Sequence, residues 1–316
     1  MVLGPETDGE VVGSFGERRP DWACKVSAHT QIESNTSKLL PIADRCWFDS
    51  AFIFVPDSNI RCASVTTDAS ASVSPDNKLQ FGWMKQTEAL PLVITRVRGQ
   101  GHDIRSFDLM PAGAERAHGV GFIPGQVAVL GVDEEEPAYF AFASAPEDRE
   151  LEILVKRTAG ASAALFDMAE GDRVDLLGVA GHGFELDRHR GHDLVLVAMG
   201  TGVAPLRSAL RHVLNRKEDF GQLVVLYGAR TPDAFCYRDE TQGWEDAGVE
   251  LRQVISRPDG HDWSGPTGYV QSLLDHVLPA LQSPVALVCG SREMIAQTRD
   301  RLQQMGFAPA AILTNY

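Results

Sequence analysis

The sequence has no run of about 18 apolar residues, the length a helix needs to cross a bilayer core. Its opening, MVLGPETDGE, has neither a basic start nor an apolar stretch, so a secretory signal is not expected and a cytoplasmic protein is. Basic charge is scarce: 29 Lys and Arg against 43 Asp and Glu give a net charge of −14. That balance speaks against nucleic acid or anionic lipid as a partner. Cysteine is scarce too, and Cys24, Cys46, Cys62, Cys236 and Cys289 show no CxxC or CxxxxC spacing. A zinc site or iron–sulfur cluster is therefore not expected. No two histidines have metal-ligand spacing, and no acid–base dyad stands out. An odd number of cysteines without a secretory signal suits reduced thiols.

What is present suits about two domains in 316 residues, with 44% hydrophobic and 23% charged content, ordinary for a globular chain. Residues 1–83 read poorly as folded structure. The stretch Cys62 to Ser72 is rich in Ser, Ala and Thr, and only Trp47 to Val55 is strongly apolar. Two readings stay open for this part: a disordered extension, or a non-native one, since Met84 opens MKQTEALPL as an ordinary start would.

From Leu92 onward short strands alternate: 92–97, 104–109, 125–132, 139–144, 151–157 and 173–179. Gly, Pro and acidic turns separate them, which predicts a small antiparallel barrel or sandwich over 84–187. From Leu194 the rhythm becomes strand–helix–strand. Apolar runs at 194–200, 223–229, 250–256, 285–290 and 310–316 alternate with helical segments at 205–214, 237–248, 269–281 and 292–306. This predicts a parallel α/β domain over 188–316, with ligands at the carboxyl ends of its strands.

The strongest motif is Gly200-Thr201-Gly202-Val203-Ala204-Pro205, between a buried strand and an amphipathic helix. Its two glycines permit a tight turn and a close backbone approach to a ligand. Pro205 is read as the first helical residue, and the helix start offers free N–H groups to a pyrophosphate. By itself such a turn serves packing as often as binding. Three more signals join it at strand ends: Tyr227-Gly228-Ala229-Arg230, Cys289-Gly290, and the terminal aromatic Tyr316.

Taken in order, these motifs resemble the ferredoxin–NADP reductase superfamily. Pro124-Gly125-Gln126, Gly171-Asp172, and Gly178, Gly181 and Phe184 extend the likeness into the barrel region. Phe142-Ala143-Ser144 and Gly268-Tyr269-Val270-Gln271 are similar to its "fruit protein"-type branch of FAD/NAD(P)-binding oxidoreductases. The resemblance covers about Leu92 to Tyr316. It implies an antiparallel flavin-binding β-barrel followed by a parallel α/β nucleotide-binding domain. It also implies FAD or FMN with NAD(P)H as cofactors, and an electron acceptor, protein or small molecule, that it does not name.

The family's flavin motif, Arg-x-Tyr-Ser, is replaced by Ala138-Tyr139-Phe140-Ala141, which lacks the arginine and both hydroxyls. The resemblance leaves Phe140 to pack on a ring, and Ser144 or Ser162 to supply a hydroxyl. Cys289 has two readings, a thiol beside nicotinamide C4 or a small buried apolar side chain. Tyr316 has two as well, stacking on the flavin or closing the last strand. Gly200, Thr201, Gly202, Pro205, Tyr227, Arg230 and Gly290 are the expected nucleotide contacts. Arg230 and Ser256-Arg257 suit a 2′-phosphate, whereas the lack of a lysine before Tyr269 suits NADH. The expected function is a flavin-dependent NAD(P)H oxidoreductase. The rival is a non-catalytic nucleotide-binding, assembly or electron-transfer subunit with a weakened flavin site.

Overall fold

Alternating apolar residues build the first half as six antiparallel strands: β1 (Met84–Gly99), β2 (Ile104–Pro111), β3 (Val127–Gly131), β4 (Ala138–Ala141), β5 (Leu151–Lys156) and β6 (Arg173–Ala180). The computed structural model describes residues 84–114, 117 and 120–315, with backbone alone for 84–88. The expectations for 1–83 and for Tyr316 lie outside the described residues. The sheet order is β4-β3-β6-β1-β2-β5. An antiparallel bridge between Phe142 and Ile153 joins the two edges, closing the sheet into a barrel. Its core holds Leu92, Phe107, Leu130, Phe142, Ile153 and Leu176.

Strand β5 is buried on both faces, because two different cores use it. Ile153 and Val155 point into the barrel, and Leu154 packs with the second half of the chain. A short helix, α1 (Ala161–Asp167), was not expected from the sequence. Its seven residues, ASAALFD, are too few to display a helical period.

The second half is a five-stranded parallel sheet in the order β11-β10-β7-β8-β9. Its strands are β7 (Leu194–Met199), β8 (Leu223–Ala229), β9 (Val249–Ile255), β10 (Val285–Cys289) and β11 (Ile312–Thr314). The helices are α2 (Val203–Leu214), α3 (Thr241–Asp246), α4 (Leu274–Val277) and α5 (Arg292–Gln304). Successive strand residues face opposite ways. Leu194, Leu196, Val225, Leu287 and Cys289 join one core, with α2 and part of the barrel wall. Val195, Val197, Leu226, Ala286 and Val288 join the other, with α4 and α5.

Two expected helices shrink. The one at 237–248 is reduced to α3, because Tyr237 adopts φ 57 and its N–H donates to Gln100 of the barrel at 2.7 Å. The one at 269–281 keeps a single α-helical turn, α4, between 3-10 turns. Among the described residues no helix is long and apolar enough to cross a membrane.

Candidate functional site

The strand order places the site. The chain runs from β7 outward through β8 and β9, then crosses back to β10 on the other side of β7. Helices leaving adjacent strands β7 and β10 diverge there, opening a crevice at the strands' carboxyl ends. Gly200–Gly202 form a 3-10 turn at the end of β7, and Cys289-Gly290 lie at the end of β10.

The two glycines of the turn do different work. Gly200 has φ +56, and a Cβ placed on it would meet nothing within 4 Å, so it faces open space. Gly202 has an ordinary helical φ of −61, but a Cβ there would lie 2.5 Å from the Cys289 carbonyl oxygen. The close approach seen at Gly202 is to the neighbouring strand. Helix α2 starts at Val203, so Pro205 is its third residue and not its first. Proline is still tolerated there, because the first four N–H groups of a helix have no intrahelical partner.

Tyr227 is fully buried under this turn. Its hydroxyl donates to the Gly200 carbonyl at 3.1 Å and accepts the Cys236 N–H at 3.1 Å. It braces the turn from within the core, and burial raises its pKa well above the usual tyrosine value. Cys289 is 4% exposed, and burial pushes its thiol up to about 12. The thiol is thus protonated at neutral pH. Arg230 and Arg257 are exposed on adjacent strand ends, tied by the Arg257 N–H donating to the Arg230 carbonyl at 2.8 Å. Thr201 is half-buried in the turn.

The barrel residues named from the sequence do not converge on the crevice. Phe140 is 6% exposed and lies in the barrel core. Phe142 stacks on Phe122 with ring centroids 4.1 Å apart. Ser144 is buried and accepts the Glu152 N–H at 2.9 Å. The Ser162 hydroxyl accepts the Thr158 N–H at 3.2 Å and donates to the Ala159 carbonyl at 3.1 Å. Their polar groups are engaged locally. Tyr139 and Ala141 alternate to the outer face of β4, and Ala141 packs against the core shared with the parallel sheet. The last described residue, Asn315, reaches the barrel's exit: its carbonyl oxygen would lie 3.2 Å from a Cβ on Gly181. The Gln126 side chain holds that exit, donating to the Gly181 carbonyl at 2.8 Å.

One residue that sequence reasoning missed is Arg207 of α2, only 4% exposed. Its place on the apolar face of the helix, beside Leu206 and Leu210, was the available signal. Among the described residues no three His, Cys, Asp or Glu side chains gather as a metal site.

Residues 196–300 match the oxidoreductase NAD-binding domain family. The chain is 32% identical over 201 residues to ferredoxin–NADP reductase B of Sorangium cellulosum, covering 59% of this chain and 82% of that one. It is 30% identical over 209 residues to fruit protein pKIWI502 of Actinidia deliciosa, covering 60% of this chain and 65% of that one. It is 24% identical over 196 residues to the sulfhydrogenase 1 subunit gamma of Pyrococcus furiosus, covering 60% and 66%. The chain thus spans about two thirds of the length of these last two relatives. Its fold is that of a ferredoxin NADP+ reductase from Neisseria gonorrhoeae, with a TM-score of 0.62 at 21% identity over 72% of this chain and 97% of that one. Sequence and frame agree, and the chain belongs to the ferredoxin–NADP reductase superfamily.

Proposed function

We propose that the chain is an NAD(P)H-dependent flavoprotein reductase, working in a reducing, cytoplasmic compartment and passing electrons to an acceptor protein or small molecule. The observation that carries this reading is the open glycine turn of β7 set beside the buried thiol of β10, where the parallel sheet opens its crevice. Relatives named as a ferredoxin–NADP reductase and an NADH-cytochrome b5 reductase support the same chemistry. The division into a barrel over 84–187 and a nucleotide domain over 188–316 belongs to this proposal.

The nucleotide fits the residues present. The space before Gly200 and the positive end of the α2 dipole suit a pyrophosphate. Gly202 and Gly290 keep the two strand ends close, and Tyr227 fixes the turn's shape. Cys289 gives the nicotinamide a small neutral wall. Arg230 and Arg257 suit a 2′-phosphate, while NADH is the reading that the missing lysine before Tyr269 favours.

A flavin fits the outer face of β4, where Tyr139 offers a half-buried ring and Ala141 leaves room. Neither Phe140 nor Phe142 is free to stack, and β4 carries no arginine for a pyrophosphate. A flavin held there supplies the two-electron partner for nicotinamide hydride. The chain's part is to bind, align and exclude water.

The test is the colour of the purified protein. A yellow preparation with flavin absorbance, bleached by anaerobic NADH or NADPH, is the expected result. Phe140's inward ring favours a second reading, a nucleotide-binding subunit without flavin. That reading expects a colourless protein that still binds NAD(P)H.

A further inference from the structure

We infer that Arg207 is a positioning residue that ties the nucleotide turn to the flavin-side strand and so sets the spacing of the two halves of the site. The inference rests on the reductase reading for its kinetic arm but not for its structural one.

Arg207 lies five residues after Gly202, on the helix that the glycine turn opens. Its Nη1 donates to the Ala143 carbonyl at 2.7 Å and to Glu152 Oε2 at 2.9 Å. Ala143 follows β4 by two residues, and Glu152 is on β5, so both belong to the barrel. Its Nε donates to Glu240 Oε2 at 2.8 Å, on the segment after β8. Its guanidinium carbon sits 4.3 Å over the Tyr237 ring. One side chain thereby holds the turn's helix, the segment leaving β4, and the loop beyond β8.

The barrel end of the tie is itself fixed. Glu152 Oε1 pairs with Arg98 at 2.9 Å, and Arg98 forks onto Asp108 with both bonds at 2.7 Å. One turn along α2, Arg211 forks onto Asp148 of the same barrel segment at 2.8 and 2.9 Å. A buried ion pair is weak evidence for stability, because desolvation offsets the attraction. Its planar fork, however, has one geometry. The guanidinium spans Ala143 and Glu152 on one side and Glu240 on the other, which lysine cannot copy. Hydride transfer between two rings depends steeply on their separation. A tie between the strand bearing one ring site and the helix bearing the other acts on that separation.

The test uses the full chain with R207K, E152Q and the double variant, cutting the tie from either end. In the absence of added cofactors, amide hydrogen exchange over 143–152 is expected to rise in each. With flavin bound, nucleotide affinity is expected to stay within about threefold, while the limiting rate of flavin reduction falls about tenfold, or about 1.4 kcal/mol. The nicotinamide–flavin charge-transfer absorbance should weaken in parallel. The double variant should be no slower than the slower single one, since both cut one tie. Unchanged exchange over 143–152 overturns the inference, as does a lower melting temperature with rate and charge-transfer band intact. Additive losses in the double variant overturn it as well. If the wild type holds no flavin, the reductase reading fails, and the exchange experiment still decides whether Arg207 ties the segments.

Discussion

Gly200 and Gly202 stand two residues apart, and different physical demands select them. Gly200 needs a left-handed backbone and has room beside it, so Gly200→Ala should cost about 1–2 kcal/mol of strain and place a methyl group in the space proposed for the pyrophosphate. Gly202→Ala instead drives a Cβ against the Cys289 carbonyl, and the turn must shift. Overpacking of this kind costs about 1–3 kcal/mol. Calorimetric titration is expected to show weaker nucleotide binding for both variants, the Gly200 methyl entering the space proposed for the pyrophosphate and the Gly202 methyl displacing the turn. Unchanged binding in the Gly202 variant would show that the turn's contact with β10 does not shape the site. Cys289→Ala separates the two roles weighed for the thiol. A positioning contact predicts about tenfold slower flavin reduction, near 1.4 kcal/mol, with affinity little changed. Simple packing predicts a lower melting temperature from a small cavity and an unaltered rate.

At the scale of elements, β4 and β8 decide what each half of the site offers. Tyr227→Phe on β8 removes the acceptor of the buried Cys236 N–H and the donor to Gly200. Leaving such a group unpaired costs about 1–3 kcal/mol, read as a lower denaturant midpoint. Nucleotide affinity should fall with it. On β4, the absent arginine is expected to weaken FAD by about 1.5–3 kcal/mol relative to a charge-paired site. FAD should therefore leave on extensive dialysis. Restoring arginine at Ala138 is not expected to recover it. Ala138 packs against the barrel core, on the same face as Phe140, so Ala138→Arg would drive a charge inward. A melting temperature that falls without tighter FAD binding is the predicted outcome. Tighter binding would show that residue 138 faces the cofactor.

Across the whole molecule, burial of neutral acids makes alkaline pH the weak side. The Cys289 thiol is pushed from 9.0 to about 12, and the Cys236 thiol from 9.0 to about 11. Tyr227 and Tyr237 are also held well above the usual tyrosine value by burial. Below pH 9.0 these thiols are protonated in folded and unfolded chains alike, so stability is unaffected. Above it the unfolded chain releases protons that the folded chain keeps. Stability then falls as pH rises from 9.0 toward 12. The melting temperature should drop across that window, and less steeply in Cys289→Ala. A melting temperature that stays level there would count against the burial of these groups.

The amino-acid order alone determined a great deal. Continuous apolar runs such as Leu194–Met199 announced strands covered on both faces, and the alternation of the first half announced antiparallel ones. The glycine turn, Cys289-Gly290 and Tyr227-Gly228 were legible because each sits at the end of a readable strand. What only the tertiary structure decided was direction. A two-residue period does not say which face of β4 meets the barrel core, so Phe140 was expected to pack on a ring and is found in that core. Tyr227 was expected to touch the nucleotide and instead supports the turn that would. Arg207 and Glu152 are 55 residues apart in the chain, and no local pattern links them. Their pairing exists only because β5 presents one face to its own barrel and the other to α2.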